Sequence, residues 1–194
     1  MVMSALCPHL KGDARMNLET VEKKLREAES SLAQMREQEA RAFGDKEPFD
    51  FQLSAFLNAG RTVDYRLCHE HEATYKTWRE RWDALNPKEA ALIQYFADDR
   101  NLEIHERGSH REVKQEAIQV RGHYSDKSGT LKVFSTPLPL AVTHGVPPDQ
   151  RHAVIYKPAY FFTIDGAERK ATEACAQYLD SLKRMIAQFK ANRC

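Results

Sequence analysis

The chain has 194 residues and a formal net charge of +1 at pH 7, from 29 basic and 28 acidic side chains. This length suits one domain that buries its own core without metal or disulfide cross-links. The balance of charge excludes a protein that binds nucleic acid along a broad basic surface, so any contact with nucleic acid is expected to be local. The cysteines are scattered, with no CxxC pair, which argues against a disulfide framework or a zinc knuckle.

The chain also lacks the sequence features of membrane and secreted proteins. No apolar run approaches the ~20 residues that cross a bilayer, and the first residues do not have the layout of a signal peptide. We therefore expect a cytoplasmic protein with no membrane association. Residues 1–15 are expected to be a disordered leader, and residues 16–194 a single domain.

The first half of the domain predicts four helices. A highly charged segment without Pro or Gly predicts the first over residues 17–43, with Asn17 as its cap. The second is predicted over about 48–70, with a broad apolar face that includes Phe51 and a small residue, Gly60, that allows a neighbour to approach.

Two more helices follow at once. The third is predicted over about 72–84, and its aromatic residues recur at helical spacing, which favours the core over stacking on bases. These aromatic residues are Tyr75, Trp78 and Trp82. The sequence Asn-Pro-Lys-Glu at residues 86–89 combines a cap, a proline in the first turn and a glutamate, and it predicts the start of a fourth helix that reaches about residue 106.

The pattern changes after residue 116. Segments rich in β-forming residues, broken by Gly and Pro, predict two or three short strands within about 117–164. Asp165-Gly166 is a turn signal, and an apolar stripe predicts a last helix over about 167–191. The predicted fold class is mainly α (α+β): a bundle of four or five helices with a small antiparallel β insertion before the C-terminal helix.

The fourth helix ends with the residues that point most directly to a reaction, Arg100-Asn101-Leu102-Glu103-Ile104-His105. A guanidinium binds phosphate oxygens through its planar fork, and an imidazole moves a proton near neutral pH. Together they can act on a phosphodiester without a metal. Asn101 and His105 fall on one helix face at i, i+4, and the long side chain of Arg100 can reach around to them.

This motif resembles the HEPN superfamily, whose signature is an Arg followed four to six residues later by a His, often with Asn, Asp or His directly after the Arg. The segment 51–61 also looks like the long second helix of such proteins. The resemblance covers about residues 17–106 and the last helix, and it leaves 117–164 as an insertion.

The resemblance implies a commonly dimeric helical bundle and a metal-independent endoribonuclease of a toxin–antitoxin or defence system. Arg100 would contact the scissile phosphate, His105 would be the general acid/base and Asn101 would orient the site. The implied partners are an RNA substrate, an antitoxin protein and a second copy of the chain at the active-site interface. Neither a cofactor nor a metal is implied.

Two alternatives stay open. Some members of the superfamily have lost catalysis, so the chain is alternatively a non-catalytic helical interaction module that binds a protein or nucleotide partner. The motif residues also have a structural interpretation, in which Arg100 pairs with Glu103 or Glu106 and His105 interacts with the helix dipole. A second match to the loose pattern, from Arg66 to His71, lacks the amide after the arginine.

Other histidines and basic residues give weaker signals. His69 and His71 are two residues apart and cannot face one metal ion from a helix. The β region contains His123, His144 and His152, which would form one cluster only if the fold brings them together. A local basic rim between the motif and the sheet is predicted from four residues, Arg107, Arg111, Lys114 and Arg121.

Overall fold

The computed structural model describes residues 18–41, 46–105, 110–124, 131–137 and 153–192. The described residues form five helices and four strands. The helices are α1 (Glu19–Ala40), α2 (Lys46–Glu70), α3 (Glu72–Leu85), α4 (Pro87–His105) and α5 (Ala171–Ala191). The strands are β1 (Glu112–Tyr124), β2 (Leu131–Pro137), β3 (Ala153–Ile164) and β4 (Ala167–Lys170).

The long helices pack as an antiparallel bundle. Thr20 at the start of α1 donates a hydrogen bond of 2.8 Å to Glu70 at the end of α2. Lys190, near the end of α5, pairs with Glu22 at the start of α1. The helix α1 therefore runs opposite to both α2 and α5. None of the described helices is long and apolar enough to cross a membrane.

Tyr178 of α5 joins three helices in the core. Its ring stacks on Phe96 of α4, with centroids 4.7 Å apart, and meets the edge of Phe56 of α2 at 5.9 Å. A Cβ added to Gly60 would lie 2.6 Å from the Tyr178 ring. The absence of a side chain at Gly60 therefore sets how closely α5 approaches α2, which confirms the close approach that the sequence predicted.

The strands form one antiparallel sheet in the order β2-β1-β3-β4. Its strand β3 packs on the bundle, where Tyr160 stacks on Phe49 of α2 with centroids 3.6 Å apart. Lys157 of β3 also donates to the carbonyl of Glu39, near the end of α1. The sheet therefore lies where α1 ends and α2 begins.

The predicted fold class is confirmed: the chain is mainly helical, with an antiparallel sheet before the last helix. Two of its boundaries were wrong. The sheet begins at Glu112 rather than near 117, and residues 167–170 form β4, so the last helix begins at Ala171. Residues 167–170 are good helix formers by themselves, but Asp165 and Gly166 turn the chain with φ of 52° and 73°. This turn pairs β4 with β3, and the pairing outweighs local helix propensity.

The predicted apolar faces are largely buried. Tyr75 and Trp82 are buried, which confirms their place in the core. Phe51 is an exception, because 63% of its surface is exposed. It lies two residues, or about 200°, around the helix from the buried Phe49. The leader at residues 1–15 and the proposed cap Asn17 lie outside the described residues.

Candidate functional site at the end of α4

Arg100 is anchored to α2 by a neutral group. Its Nε donates a hydrogen bond of 3.1 Å to Oδ1 of Asn58, and its Nη1 lies 3.4 Å from Oδ1 of Asn101. Asn58 is itself held, because its Nδ2 donates to the Ser54 carbonyl one turn earlier at 3.1 Å. Among the side chains that the structure describes, no carboxylate forms an ion pair with Arg100.

The three motif residues are on one helix, but only two of their side chains are described. Arg100 and Asn101 lie side by side, and Asn101 is exposed. His105 is the last residue of α4, four residues after Asn101, so the two share a helix face. The side chains of His105, Glu103 and Glu106 lie outside the described residues, as does any pairing between Arg100 and those glutamates.

Next to Arg100, α4 buries a carboxylate. Asp99 is 0% exposed, although it follows the exposed Asp98 directly. Its Oδ1 accepts a hydrogen bond of 2.6 Å from the backbone N–H of His110 and lies 3.2 Å from Nδ1 of the same residue. Its Oδ2 is buried and has no hydrogen-bond partner among the described residues.

Other polar groups surround this carboxylate. The Tyr95 hydroxyl, one turn earlier on α4, is buried and also has no hydrogen-bond partner in the described part of the chain. Burial raises the pKa of Tyr95 to about 12, and the charge of Asp99 adds to the shift. Burial likewise raises the pKa of the Cys175 thiol on α5. The pKa of Asp99 itself is raised by burial, although hydrogen bonds from His110 oppose the shift.

Sequence reasoning missed Asp99 and His110. One signal was present for Asp99, because it continues the apolar stripe of Ile93 and Phe96 at helical spacing and so falls on the buried face. No comparable signal marks His110. Its contact with Asp99 depends on how the chain leaves α4 and enters β1, which is not a local property.

The second match to the motif pattern has a structural role. Arg66 pairs with Glu70 at 3.4 Å on the surface of α2. His71 lies between α2 and α3, with its ring 5.7 Å from that of Phe189, whereas the ring of His69 stacks on Tyr65. The two histidines therefore have different surroundings. The described residues contain no group of three or more His, Cys, Asp or Glu that could hold a metal ion.

Both residues of the predicted basic rim whose side chains are described pair with carboxylates. Arg111 pairs with Asp50 of α2, its Nε lying 3.0 Å from the carboxylate, and Lys114 pairs with Glu168 of β4. The side chains of the other two rim residues, Arg107 and Arg121, lie outside the described residues. The side chain of His123 in β1 also lies outside them, as do His144 and His152.

The chain was compared with models of protein families, with curated proteins and with solved structures, and none of the three comparisons found a match. The side chains at the end of α4 are therefore the basis for assigning a function. Their chemistry consists of a guanidinium fixed by a neutral amide and, on the adjacent residue of α4, a buried carboxylate that faces Nδ1 of His110.

Proposed function

We propose that this protein is a HEPN-like, metal-independent endoribonuclease that acts as a homodimer, with Arg100 and His105 in its active site. The observation that supports this most is the anchoring of Arg100 by Asn58. A neutral amide orients the guanidinium without cancelling its charge. The charge is then available to a phosphodiester, for which a guanidinium has matching geometry.

In the proposed reaction the 2′-hydroxyl of the RNA is the nucleophile. A bond forms between O2′ and phosphorus, and the bond between phosphorus and O5′ breaks, which leaves a 2′,3′-cyclic phosphate and a 5′-hydroxyl. Arg100 stabilises the negative charge that builds on the phosphoryl oxygens. His105 is the general acid/base for the protons that leave O2′ and reach O5′, and Asn101 orients the site.

The proposal includes a two-fold interface that contains the end of α4. Such an interface presents the same patch twice and brings two copies of the motif together. The surface of α2 supports this arrangement, because the exposed Phe51 precedes Asn58 by seven residues and therefore lies on the same helix face. The proposed partners are RNA and an antitoxin protein, and the proposed place of action is the cytoplasm.

Cleavage of an end-labelled RNA in excess EDTA tests the proposal. Wild-type protein should cleave, and Arg100→Ala and His105→Ala should each lose roughly 100-fold or more in rate, as expected for groups that act in the transition state. Arg66→Ala is the control, because it removes an arginine from the other motif match. Intact RNA with the wild-type protein would contradict the proposal, and so would equal cleavage by wild type and both motif variants.

A further inference from the structure

The pairing of Asp99 with His110 joins a buried group to an exposed one. Asp99 is fully buried, whereas 53% of the His110 side chain is exposed. Nδ1 is the ring nitrogen that faces the carboxylate, at 3.2 Å. The outer nitrogen, Nε2, is therefore the one available to a molecule that binds at this surface.

The carboxylate fixes the ring more firmly than one hydrogen bond would. Oδ1 of Asp99 contacts both the backbone N–H and Nδ1 of His110, so it holds the ring relative to its own backbone. The ring also lies near that of Tyr95, with centroids 6.5 Å apart. A carboxylate that holds Nδ1–H leaves Nε2 as a proton acceptor, which is how carboxylates orient imidazoles for proton transfer.

A purely structural contact at this place would not need a charge. The backbone N–H of His110 needs only an acceptor, which a neutral amide would supply. A carboxylate with one oxygen unpartnered among the described residues carries a cost of desolvation instead. Titratable groups that are perturbed by burial and by a specific charge partner cluster at functional sites, and Asp99 is buried beside the partly exposed His110.

We propose that His110 is a second catalytic imidazole of this site and that Asp99 is its positioning residue. The inference rests on the proposed ribonuclease function. Asp99 precedes Arg100 directly on α4, so the imidazole and the guanidinium lie at the same end of the helix. This divides between two imidazoles the acid/base role that the proposed function gives to His105 alone. Nε2 of His110 takes over as the base and accepts the proton of the 2′-hydroxyl as O2′ bonds to phosphorus, and His105 keeps the role of the acid and donates a proton to O5′ as that oxygen leaves. The two imidazoles then exchange protons with water.

The activity test compares His110→Ala and His110→Gln with the wild type in EDTA. Both variants should lose roughly 100-fold or more in rate, the usual contribution of a general base. Added imidazole should restore part of the activity of His110→Ala, because it supplies the missing base. His69→Gln is the matched control, since His69 is exposed on α2 and away from the carboxylate.

The test of Asp99 uses the nitrogen NMR signals of the His110 ring. The neutral ring should carry its proton on Nδ1 in the wild type, and this preference should be lost in Asp99→Asn together with activity. If His110→Ala cleaves as fast as the wild type, the inference is overturned and the proposed function stands. If the wild type does not cleave RNA, both are overturned. Activity that is lost in His110→Ala, kept in His110→Gln and not restored by imidazole assigns His110 a structural role and overturns the inference.

Discussion

Nε of Arg100 and Oδ1 of Asn58 lie 3.1 Å apart and join the end of α4 to the middle of α2. The amide that accepts this bond is neutral and is oriented by the Ser54 carbonyl. The guanidinium is therefore held in place while it keeps its net charge, which is what the binding of a phosphate requires.

Substitution of Asn58 should affect cleavage in two distinguishable ways. Asn58→Ala removes the anchor and should lower the rate roughly tenfold, because a misplaced guanidinium stabilises the transition state less well. Asn58→Asp places a carboxylate against Arg100 and should weaken the binding of RNA as well, which raises KM. The initial rates of cleavage over a range of RNA concentrations measure both effects.

The control for the added charge is Gln34→Glu on the exposed surface of α1. It changes the net charge by the same amount at a side chain that is not a hydrogen-bond partner of Arg100. If Asn58→Asp cleaves RNA with the wild-type KM and rate, Asn58 does not position a phosphate-binding arginine.

The exposed aromatic residue on α2 should mark the dimer interface. We expect the wild type to be a dimer at micromolar concentration by light scattering coupled to gel filtration. Phe51→Glu should give a monomer, because it would place a charge in an apolar contact of the proposed two-fold interface. Leu85→Glu should stay dimeric, although Leu85 is 80% exposed, because it lies at the end of α3. A monomeric wild type would contradict the interface.

The ion pair between Arg79 and Asp64 should be important for stability. The two side chains are only 16% and 17% exposed, and Nη1 of Arg79 lies 2.5 Å from Oδ1 of Asp64. Arg79→Met leaves the Asp64 carboxylate with Arg61 and the Tyr75 hydroxyl as its partners and should lower the free energy of unfolding by about 2 kcal/mol. Lys76→Met, which breaks an exposed pair with Glu72 on the same helix, should cost much less, because water screens this pair. Urea denaturation measures both, and equal losses would contradict the prediction.

Asp99 should make the stability of the protein depend on pH. Burial raises the pKa of Asp99 above its ordinary value, despite the opposing effects of His110 and Arg111. The folded state therefore binds this proton more tightly than the unfolded state does. The resulting stabilisation is complete below the unfolded pKa and is lost as the pH rises through the folded pKa. Two neighbours, Tyr95 and Cys175, stay uncharged across this range, because their ordinary pKa values lie above it and burial raises them further.

The measurement is the free energy of unfolding of wild type and Asp99→Asn at a series of pH values from about 4 to 8. The advantage of the wild type over Asp99→Asn should be greatest at the acid end and should decrease as the pH rises. Asp98→Asn is the matched control, because Asp98 is exposed and accepts a hydrogen bond from Gln94 on its own helix. If the advantage of the wild type in free energy of unfolding grows with pH instead, the result would contradict a raised pKa for the buried Asp99.

Most of the helical structure could be predicted from the sequence because its signals are local. The proline at residue 87 and the residues around it indicate the start of α4, and the helix begins there. The strand β4 could not be predicted in this way, because its pairing with β3 outweighs the helix propensity of four residues. The motif residue Arg100 could be found by its type and spacing. Its anchor, Asn58, lies 42 residues away and is identified only by the packing of α2 against α4.

The most direct test of the central claim is cleavage, in EDTA, of a DNA oligonucleotide that contains one ribonucleotide. The 2′-hydroxyl is the proposed nucleophile, so the wild type should cut only on the 3′ side of the ribonucleotide and leave a 2′,3′-cyclic phosphate and a 5′-hydroxyl. The same oligonucleotide made entirely of DNA should stay intact, and Arg100→Ala should cleave neither. Products with a 3′-hydroxyl and a 5′-phosphate, or cleavage that appears only when Mg²⁺ is added, would contradict a metal-independent ribonuclease.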